Sequence, residues 1–155
     1  MSPSFFKEPV SRKVLKGLSS QKRKLEEDKV MKRVRRQDVY CRFPMCGCRK
    51  FHLSLHVAHE KHRGMGGNPS GERTTEAGLI LLCSARHKEN RVALDRGTLL
   101  IIPINGQDGM RGPCVWHVCL NGTWAEVGRE VIPHQFEPFT PAQLGILEAL
   151  KEMTL

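Results

Sequence analysis

The fold of this chain is decided by the stretch Leu79-Ile-Leu-Leu-Cys83-Ser-Ala-Arg-His87. Its aliphatic run predicts a buried strand, and Ser84 is a residue type that favours the start of a helix, which we expect to continue to about Leu94. A helix from Ser84 would bring the thiol of Cys83 and the imidazole of His87 to one side. The stretch therefore predicts a strand followed directly by a helix, with metal-binding side chains where they join.

A cysteine cluster lies upstream, in the stretch Cys41-Arg-Phe-Pro-Met-Cys46-Gly-Cys48, where Pro44 predicts a compact knuckle. Since the start of the chain shows no export signal, we expect thiols rather than disulfides. Two pairs of thiolate or imidazole ligands from distant parts of a chain are the usual construction of a structural zinc site. We therefore predict a structural Zn²⁺, whose ligands would be Cys41, Cys46, Cys83 and His87. Cys48 is a spare ligand.

Cys114 and Cys119 repeat the spacing of Cys41 and Cys46, and they are the rival pair for a metal site. They fall in a predicted strand, where successive side chains point to opposite faces. Because Cys119 comes five positions after Cys114, the two thiols would point to opposite faces and would not bind one ion together. We expect both to be buried apolar side chains.

Further strand and helix signals follow along the chain. The stretch from Phe51 to His59 alternates as a strand, residues 63–71 form a glycine-rich loop, and Thr98 to Ile104 predicts another strand. Asn121-Gly122 is a hairpin turn signal with an extra residue for a bulge, and Pro141 opens a last helix to about Met153. The predicted units are a basic helical arm at 1–37, a core at 38–104, and a β-hairpin with a closing helix at 105–155.

The positive charge of the chain is concentrated near its start. The chain has 155 residues and a formal net charge of +9, and residues 1–50 hold 15 Lys and Arg against 5 Asp and Glu. Such an arm neutralises phosphates and binds nucleic acid without reading its sequence. A solvated charged helix is the alternative, and an anionic membrane surface is a weaker one. The candidate DNA contacts of the arm are Lys22, Arg23, Lys24, Lys32, Arg33, Arg35 and Arg36.

Four histidines lie close together between positions 52 and 62, just after the knuckle. If this stretch is a strand, His52 and His56 share one face and His59 lies on the other. Neutral imidazole can be a metal ligand or a base near neutral pH. The glycines after Arg63 allow backbone amides to approach a phosphate. The cluster therefore predicts a metal or acid–base site.

In their order along the chain, these motifs resemble the HNH endonuclease family. The resemblance runs through the knuckle, through Leu55-His-Val-Ala-His59-Glu-Lys-His-Arg63-Gly-Met-Gly-Gly67, through Leu79 to His87, and on to Asp95-Arg-Gly97. It implies an α+β fold with a ββα-metal (HNH) core and a zinc knuckle, preceded by the basic helical arm and followed by the β-hairpin and C-terminal helix. It also implies a DNA endonuclease that uses Mg²⁺ or Mn²⁺.

The resemblance implies roles for single residues as well. His59 falls on the general base of the family, and His87 falls on its helix-borne metal ligand. Arg63 and Lys61 would hold phosphates. The positions of the frequent structural zinc site of the family are Cys41, Cys46 and Cys83.

Departures from the family pattern leave the metal ligands open. Ala58 stands before the base, where the family usually has a metal-binding Asp or His, and Arg86 stands where it often has the fourth zinc ligand. Because one imidazole does not usually bind two ions, His87 either completes the zinc site or holds the catalytic ion. In the first case, Asp95 and His56 are the substitute ligands of the catalytic ion.

A further departure concerns the orientation of the base. Gly78 stands where the family has the middle asparagine of its signature. Glycine has no side chain that could orient His59, so a backbone carbonyl or another side chain would have to fix the tautomer of this imidazole.

The expected activity is the hydrolysis of DNA phosphodiester bonds. His59 would take a proton from the attacking water, and one divalent ion would stabilise the charge at the phosphate and at the leaving oxygen. The alternatives are a zinc-stabilised DNA-binding module without catalysis and an RNA-directed or structural partner in a phage or mobile-element assembly. Cleavage of both strands would call for a homodimer or sequential nicking. Without a membrane span or secretory signal, we expect the cytoplasm of a bacterial or phage-infected host cell.

Overall fold

The computed structural model describes residues 20–48, 54–59 and 74–152. The first part of the predicted basic arm, the start of the predicted strand at Phe51 and the glycine-rich loop lie outside these ranges. Within them, the chain is a mixed α+β structure with two antiparallel sheets. No helix of the described part combines the length and the apolar character that crossing a membrane requires.

The elements follow one another in an order close to the expected one. They are α1 (Ser20–Asp38), β1 (Leu55–His59), β2 (Leu79–Cys83), β3 (Leu99–Pro103), β4 (Cys114–Leu120), β5 (Thr123–Ile132), β6 (Gln135–Phe136) and α2 (Pro141–Glu152). Strands β1 and β2 form a two-stranded sheet, and β3 to β6 form a four-stranded sheet in sequence order. The two-stranded sheet holds the predicted site.

The register of the two-stranded sheet determines where the site residues lie. β1 and β2 run antiparallel, with Leu55 opposite Cys83 and His59 opposite Leu79. His56 is opposite Leu82, one pair away from the cysteine. The end of β2 that carries the thiol is therefore next to His56, whereas His59 lies at the other end of the ladder.

β2 is buried along its whole length, as its aliphatic run predicts. Val30 and Val34 of α1 pack against Leu79 on one side. Ile80 and Leu82 belong to the main core, the larger cluster of buried side chains that also contains Trp116 and Leu147. Burial of both faces favours a continuous apolar run over alternation. The basic helix is thus packed directly on the sheet that holds the histidines.

The predicted helix after Ser84 begins where expected but ends at Glu89, well before the expected Leu94. A single π-helical turn, Ala85–Glu89, follows β2, and the backbone is extended at Asn90, with φ −81° and ψ 165°. The chain then folds back, because the amide of Asp95 donates to the carbonyl of His87 at 2.9 Å. This bond joins residues eight positions apart, and it replaces the hydrogen bonds between residues four apart that a continuing helix would have.

The predicted hairpin is present, with a tighter turn than expected. Leu120 pairs with Thr123, so the turn contains only Asn121 and Gly122. Both have positive φ, 51° and 80°, as the two central residues of a type I′ turn require. The register irregularity of the hairpin lies elsewhere, at Trp116 and not at the turn.

The last helix begins where Pro141 predicts it. The hydroxyl of Thr140 accepts from the amide of Gln143 at 3.2 Å, and the side chain of Gln143 accepts from the amide of Thr140 at 2.9 Å. These reciprocal bonds form a capping box. Leu147 and Leu150 then bury the apolar face of α2 in the main core.

Candidate metal centre and catalytic site

Four cysteine side chains converge at the end of β2. All their Sγ atoms lie within 4.8 Å of one another, and the residues are Cys41, Cys46, Cys48 and Cys83. Cys46 Sγ lies 3.7 Å from Cys83 Sγ. Four sulfurs at about 2.3 Å from a zinc ion form a tetrahedron with an edge of about 3.8 Å. The cluster therefore has dimensions that suit a metal ion such as zinc.

Backbone bonds between the knuckle and β2 bring the thiols together. The amide of Arg42 donates to the carbonyl of Leu81 at 3.0 Å, which aligns the knuckle with the strand. The amide of Cys46 donates to the carbonyl of Phe43 at 3.2 Å and closes a tight turn. Met45, inside this turn, has a φ of 49°. The chain therefore reverses within the knuckle and turns its cysteines towards Cys83.

The thiols perturb the pKa values of one another. Hydrogen bonding to Cys46 is the largest cause that raises the pKa of Cys41 well above its ordinary value. Hydrogen bonding with Cys41 is the largest cause that lowers the pKa of Cys46, Cys48 and Cys83. A lowered pKa favours the thiolate, which is the form that binds metal ions.

Cys48 occupies the place in this cluster that the sequence interpretation offered to His87. The spare ligand is thus a full member, and His87 belongs to another group of side chains. Arg86 is buried, and its guanidinium lies 4.5 Å from the centre of the Phe43 ring. It also donates to the carbonyl of Leu150 at 3.0 Å. Arg86 therefore joins the π-helical turn to the knuckle and to α2.

The rival cysteines lie outside the cluster. Cys114 is fully buried in the main core, and burial raises the pKa of its thiol to about 11. Cys119 is only partly buried, so the expectation of a buried apolar side chain is confirmed for Cys114 alone. Among the described residues, neither thiol belongs to a group that could hold a metal ion.

His56, His87 and Asp95 form a second group beside the cysteine cluster. His56 Nδ1 lies 3.2 Å from His87 Nδ1, and the two rings meet edge to face, with their centres 5.4 Å apart. Asp95 Oδ2 lies 3.5 Å from His87 Nε2. The hydroxyl of Ser54 lies 3.1 Å from His56 Nε2. The structure thus places His56 and Asp95, the predicted substitute ligands of the catalytic ion, beside His87, which was the other candidate for that role.

His59 lies at the end of β1 and contacts a different element. Its Nε2 is 3.2 Å from the hydroxyl oxygen of Thr74, and this hydroxyl donates to Glu27 of α1 at 3.4 Å. His59 is three residues beyond His56, which corresponds to about 10 Å along an extended strand. Alternation directs the two imidazoles to opposite faces of the sheet.

The basic helix presents most of its predicted DNA contacts to solvent. Val30, Val34 and Asp38 face the protein, and the opposite side of α1 is exposed. The exposed cations of α1 are Lys22, Lys24, Lys29, Lys32, Arg35 and Arg36, whereas Arg23 and Arg33 are half-buried. Arg33 forms an ion pair with Glu76 next to β2. It therefore helps to dock the helix on the sheet.

Sequence reasoning missed several residues of these groups. Cys48 is not among them, because its side-chain type and its place in the knuckle already indicated a spare ligand. Ser54, Thr74 and Glu27 gave no signal, since hydroxyl and carboxylate groups are common and their contacts arise only from packing. Lys61 and Arg63, the predicted phosphate contacts after β1, lie outside the described residues.

The chain was compared with known protein families, curated proteins and solved structures. No protein-family model, no curated protein and no solved structure matches the chain.

Proposed function

We infer that this chain is a metal-dependent DNA endonuclease of the HNH type, with His59 as the general base. The observation that supports this function is the approach of His56 Nδ1 to His87 Nδ1, at 3.2 Å, in a unit of two antiparallel strands and a helical turn. The four-cysteine cluster anchors that unit, and zinc would have a structural role there.

The imidazole pair fits a divalent ion. Asp95 lies beside His87 Nε2, and a carboxylate accepts the N–H of a neutral imidazole at that nitrogen. A lone pair of His87 Nδ1 then points at His56 Nδ1, so a proton or a cation belongs between the two nitrogens. Two nitrogens at about 2.1 Å from one ion lie roughly 3.0–3.4 Å apart. Carboxylates behind metal-binding histidines are a frequent arrangement.

The chemistry follows from the positions of these side chains. His56 and His87 would hold the ion, and Asp95 would orient His87. When bound, the ion would stabilise the charge that develops on the phosphate and on the leaving 3′-oxygen. His59 would remove a proton from the water that attacks phosphorus from the other side.

Charge complementarity supports DNA as the substrate. The cations on the exposed face of α1 lie on a helix that packs against the same two-stranded sheet as the histidines. Lysine and arginine on such a face bind the phosphates of a duplex and release counterions. The helix would hold the DNA backbone while the sheet presents the reactive groups.

A plasmid assay tests the proposed function. Incubation with Mn²⁺ or Mg²⁺ should convert supercoiled DNA into nicked or linear forms, and EDTA should prevent it. His59→Ala should abolish cleavage and leave the gel shift with DNA nearly unchanged. The matched control is His117→Gln on β4, a histidine outside both groups, which should cleave like the wild type. Equal cleavage by His59→Ala and wild type would refute the assignment of the base.

A DNA-binding module without catalysis is the second candidate. The observation that favours it is Ala58, which is fully buried between His56 and His59 and supplies no ligand. Retained gel shift without cleavage under any of these metal conditions would support this module.

A further inference from the structure

We propose that Thr74 and Glu27 position the imidazole of His59 by fixing its tautomer. The consequence for catalysis rests on the proposed function, whereas the tautomer itself does not. Thr74 lies in the segment before β2, and Glu27 lies on the basic helix, so two elements distant in sequence would act on one ring.

The direction of the hydrogen bonds follows from the chemistry of the three groups. An ionised carboxylate only accepts, so the bond of 3.4 Å between Thr74 and Glu27 uses the hydroxyl proton of Thr74. The hydroxyl oxygen can then only accept from His59 Nε2, which lies 3.2 Å away. In the neutral imidazole, the proton therefore sits on Nε2 and the lone pair on Nδ1. Nδ1 is therefore the nitrogen that would take a proton from water.

Burial holds Thr74 in this orientation. Its residue exposure is only 2%, so water does not compete freely for the hydroxyl. The helical turn that follows, Glu76–Gly78, is anchored from two sides: Arg33 of α1 pairs with the side chain of Glu76, and Arg111 Nε donates to its carbonyl at 3.1 Å. Both contacts fix Glu76, two residues after Thr74, so the backbone that carries the hydroxyl is held on its C-terminal side.

This arrangement gives His59 a support that Gly78 cannot supply. Gly78 ends the helical turn beside Leu79, the strand partner of His59. A hydroxyl and a carboxylate at other positions provide the hydrogen bond that a side chain at position 78 would otherwise have to make. Thr74 and Glu27 are accordingly positioning residues, which do not touch the substrate.

The position of Glu27 connects the base to the DNA-binding surface. Glu27 lies on the same helix as the exposed cations, and the helix is continuous from Ser20 to Asp38. A duplex that binds the cations would therefore contact the element that orients His59. Glu26, the neighbouring residue, forms an exposed ion pair with Lys29 at 2.6 Å, which provides a matched control carboxylate.

The test is the tautomer of His59, measured by ¹⁵N NMR on the 155-residue chain loaded with zinc but without Mn²⁺. Comparison with His59→Ala assigns the ring signals. Protonation on Nε2 is expected in the wild type, in Thr74→Ser and in Glu26→Gln. Thr74→Val removes the acceptor without a large change of shape, and we expect a mixture of both tautomers. Glu27→Gln should give an intermediate mixture.

Kinetics provide the second measurement. Thr74→Val should lower kcat at least about tenfold with KM within about twofold, and Thr74→Ser should restore kcat to within about threefold of the wild type. Glu26→Gln and Glu27→Gln change the helix charge equally, so a lower kcat in Glu27→Gln alone isolates the effect on His59.

Two results would overturn the positioning role: a wild-type His59 protonated on Nδ1, or tautomer populations that Thr74→Val leaves unchanged while the variant keeps its zinc and its fold. If the tautomer shifts as expected but the wild type cleaves no DNA, the positioning role stands and the proposed function fails.

Discussion

Arg42 and Glu130 form a fully buried ion pair that joins the knuckle to β5. Arg42 Nη2 lies 2.6 Å from Glu130 Oε2, and both side chains have 0% exposure. The same guanidinium donates to the carbonyls of Met110 and Gly112, and Glu130 accepts from the amide of Cys114 at 2.8 Å. The pair therefore links the cysteine cluster to the larger sheet.

Removal of one partner should destabilise the chain strongly. Glu130→Gln leaves the buried Arg42 with only the longer contact to Asp38, at 3.9 Å, a carboxylate that also pairs with Arg111. Removal of one partner of a buried pair costs about 3–5 kcal/mol in comparable sites. Urea unfolding measures the difference. The control is Glu126→Gln on the same strand, because the Glu126–Arg129 pair is partly exposed, and we expect less than about 1 kcal/mol there. Equal losses in both variants would contradict the structural role of the buried pair.

Metal content should separate Cys48 from His87. We expect one zinc per chain in the wild type and in His87→Ala, and loss of zinc in Cys48→Ser, because the four thiols complete a tetrahedron. Elemental analysis of the purified proteins measures this. Cys119→Ser is the control cysteine and should keep its zinc. Loss of zinc from His87→Ala, with retention in Cys48→Ser, would mean that the imidazole is the ligand.

Cleavage should prefer Mn²⁺ to Mg²⁺. Mg²⁺ prefers oxygen ligands, whereas a pair of imidazoles suits a transition-metal ion better. Initial cleavage rates at equal ion concentrations should be about tenfold higher with Mn²⁺. His56→Asp replaces one nitrogen ligand with oxygens and should narrow this ratio. A ratio that is the same in both proteins would show that His56 does not bind the ion.

The basic helix should affect DNA affinity through salt. Lys32→Gln removes an exposed charge, so we expect weaker binding on every DNA sequence and a smaller dependence of log K on log salt, by about 0.9 for each lost phosphate contact. Arg33→Gln, the neighbouring control, should instead lower the stability of α1, because Arg33 pairs with Glu76. Filter binding at several salt concentrations distinguishes the loss of a phosphate contact in Lys32→Gln from the loss of helix stability in Arg33→Gln. An unchanged salt slope in Lys32→Gln would remove this residue from the interface.

Stability should decrease at high pH through Cys114. Burial raises the pKa of this thiol to about 11 from an ordinary 9.0. The folded state therefore favours the protonated thiol, and its contribution is fully present below pH 9 and is lost as the pH rises through 11. The loss amounts to at most about 3 kcal/mol. Urea unfolding at pH 8 to 11 should show a smaller decrease in Cys114→Ala than in the wild type, and parallel curves would contradict this.

Local residue patterns predicted the elements whose structure depends mainly on interactions between residues close in sequence. The aliphatic run predicted β2, Asn121-Gly122 predicted the hairpin turn, and Pro141 predicted the start of α2. The helix after Ser84 was predicted too long because amides eight residues further along bond to its carbonyls: Asp95 to His87 and Leu94 to Arg86. The loop after Glu89 therefore folds back and places Asp95 beside His87, whereas a helix would have carried Asp95 away from it.

Local residue patterns were enough to predict the residue types that can bind an ion, the strand that presents them and the basic face of α1, because periodicity and side-chain chemistry are local properties. The contacts of Cys48 with Cys83, of His56 with His87, and of Thr74 and Glu27 with His59 arise only when the whole chain is folded. Those pairings depend on strand register and on backbone contacts between distant segments, and no short stretch of residues encodes them.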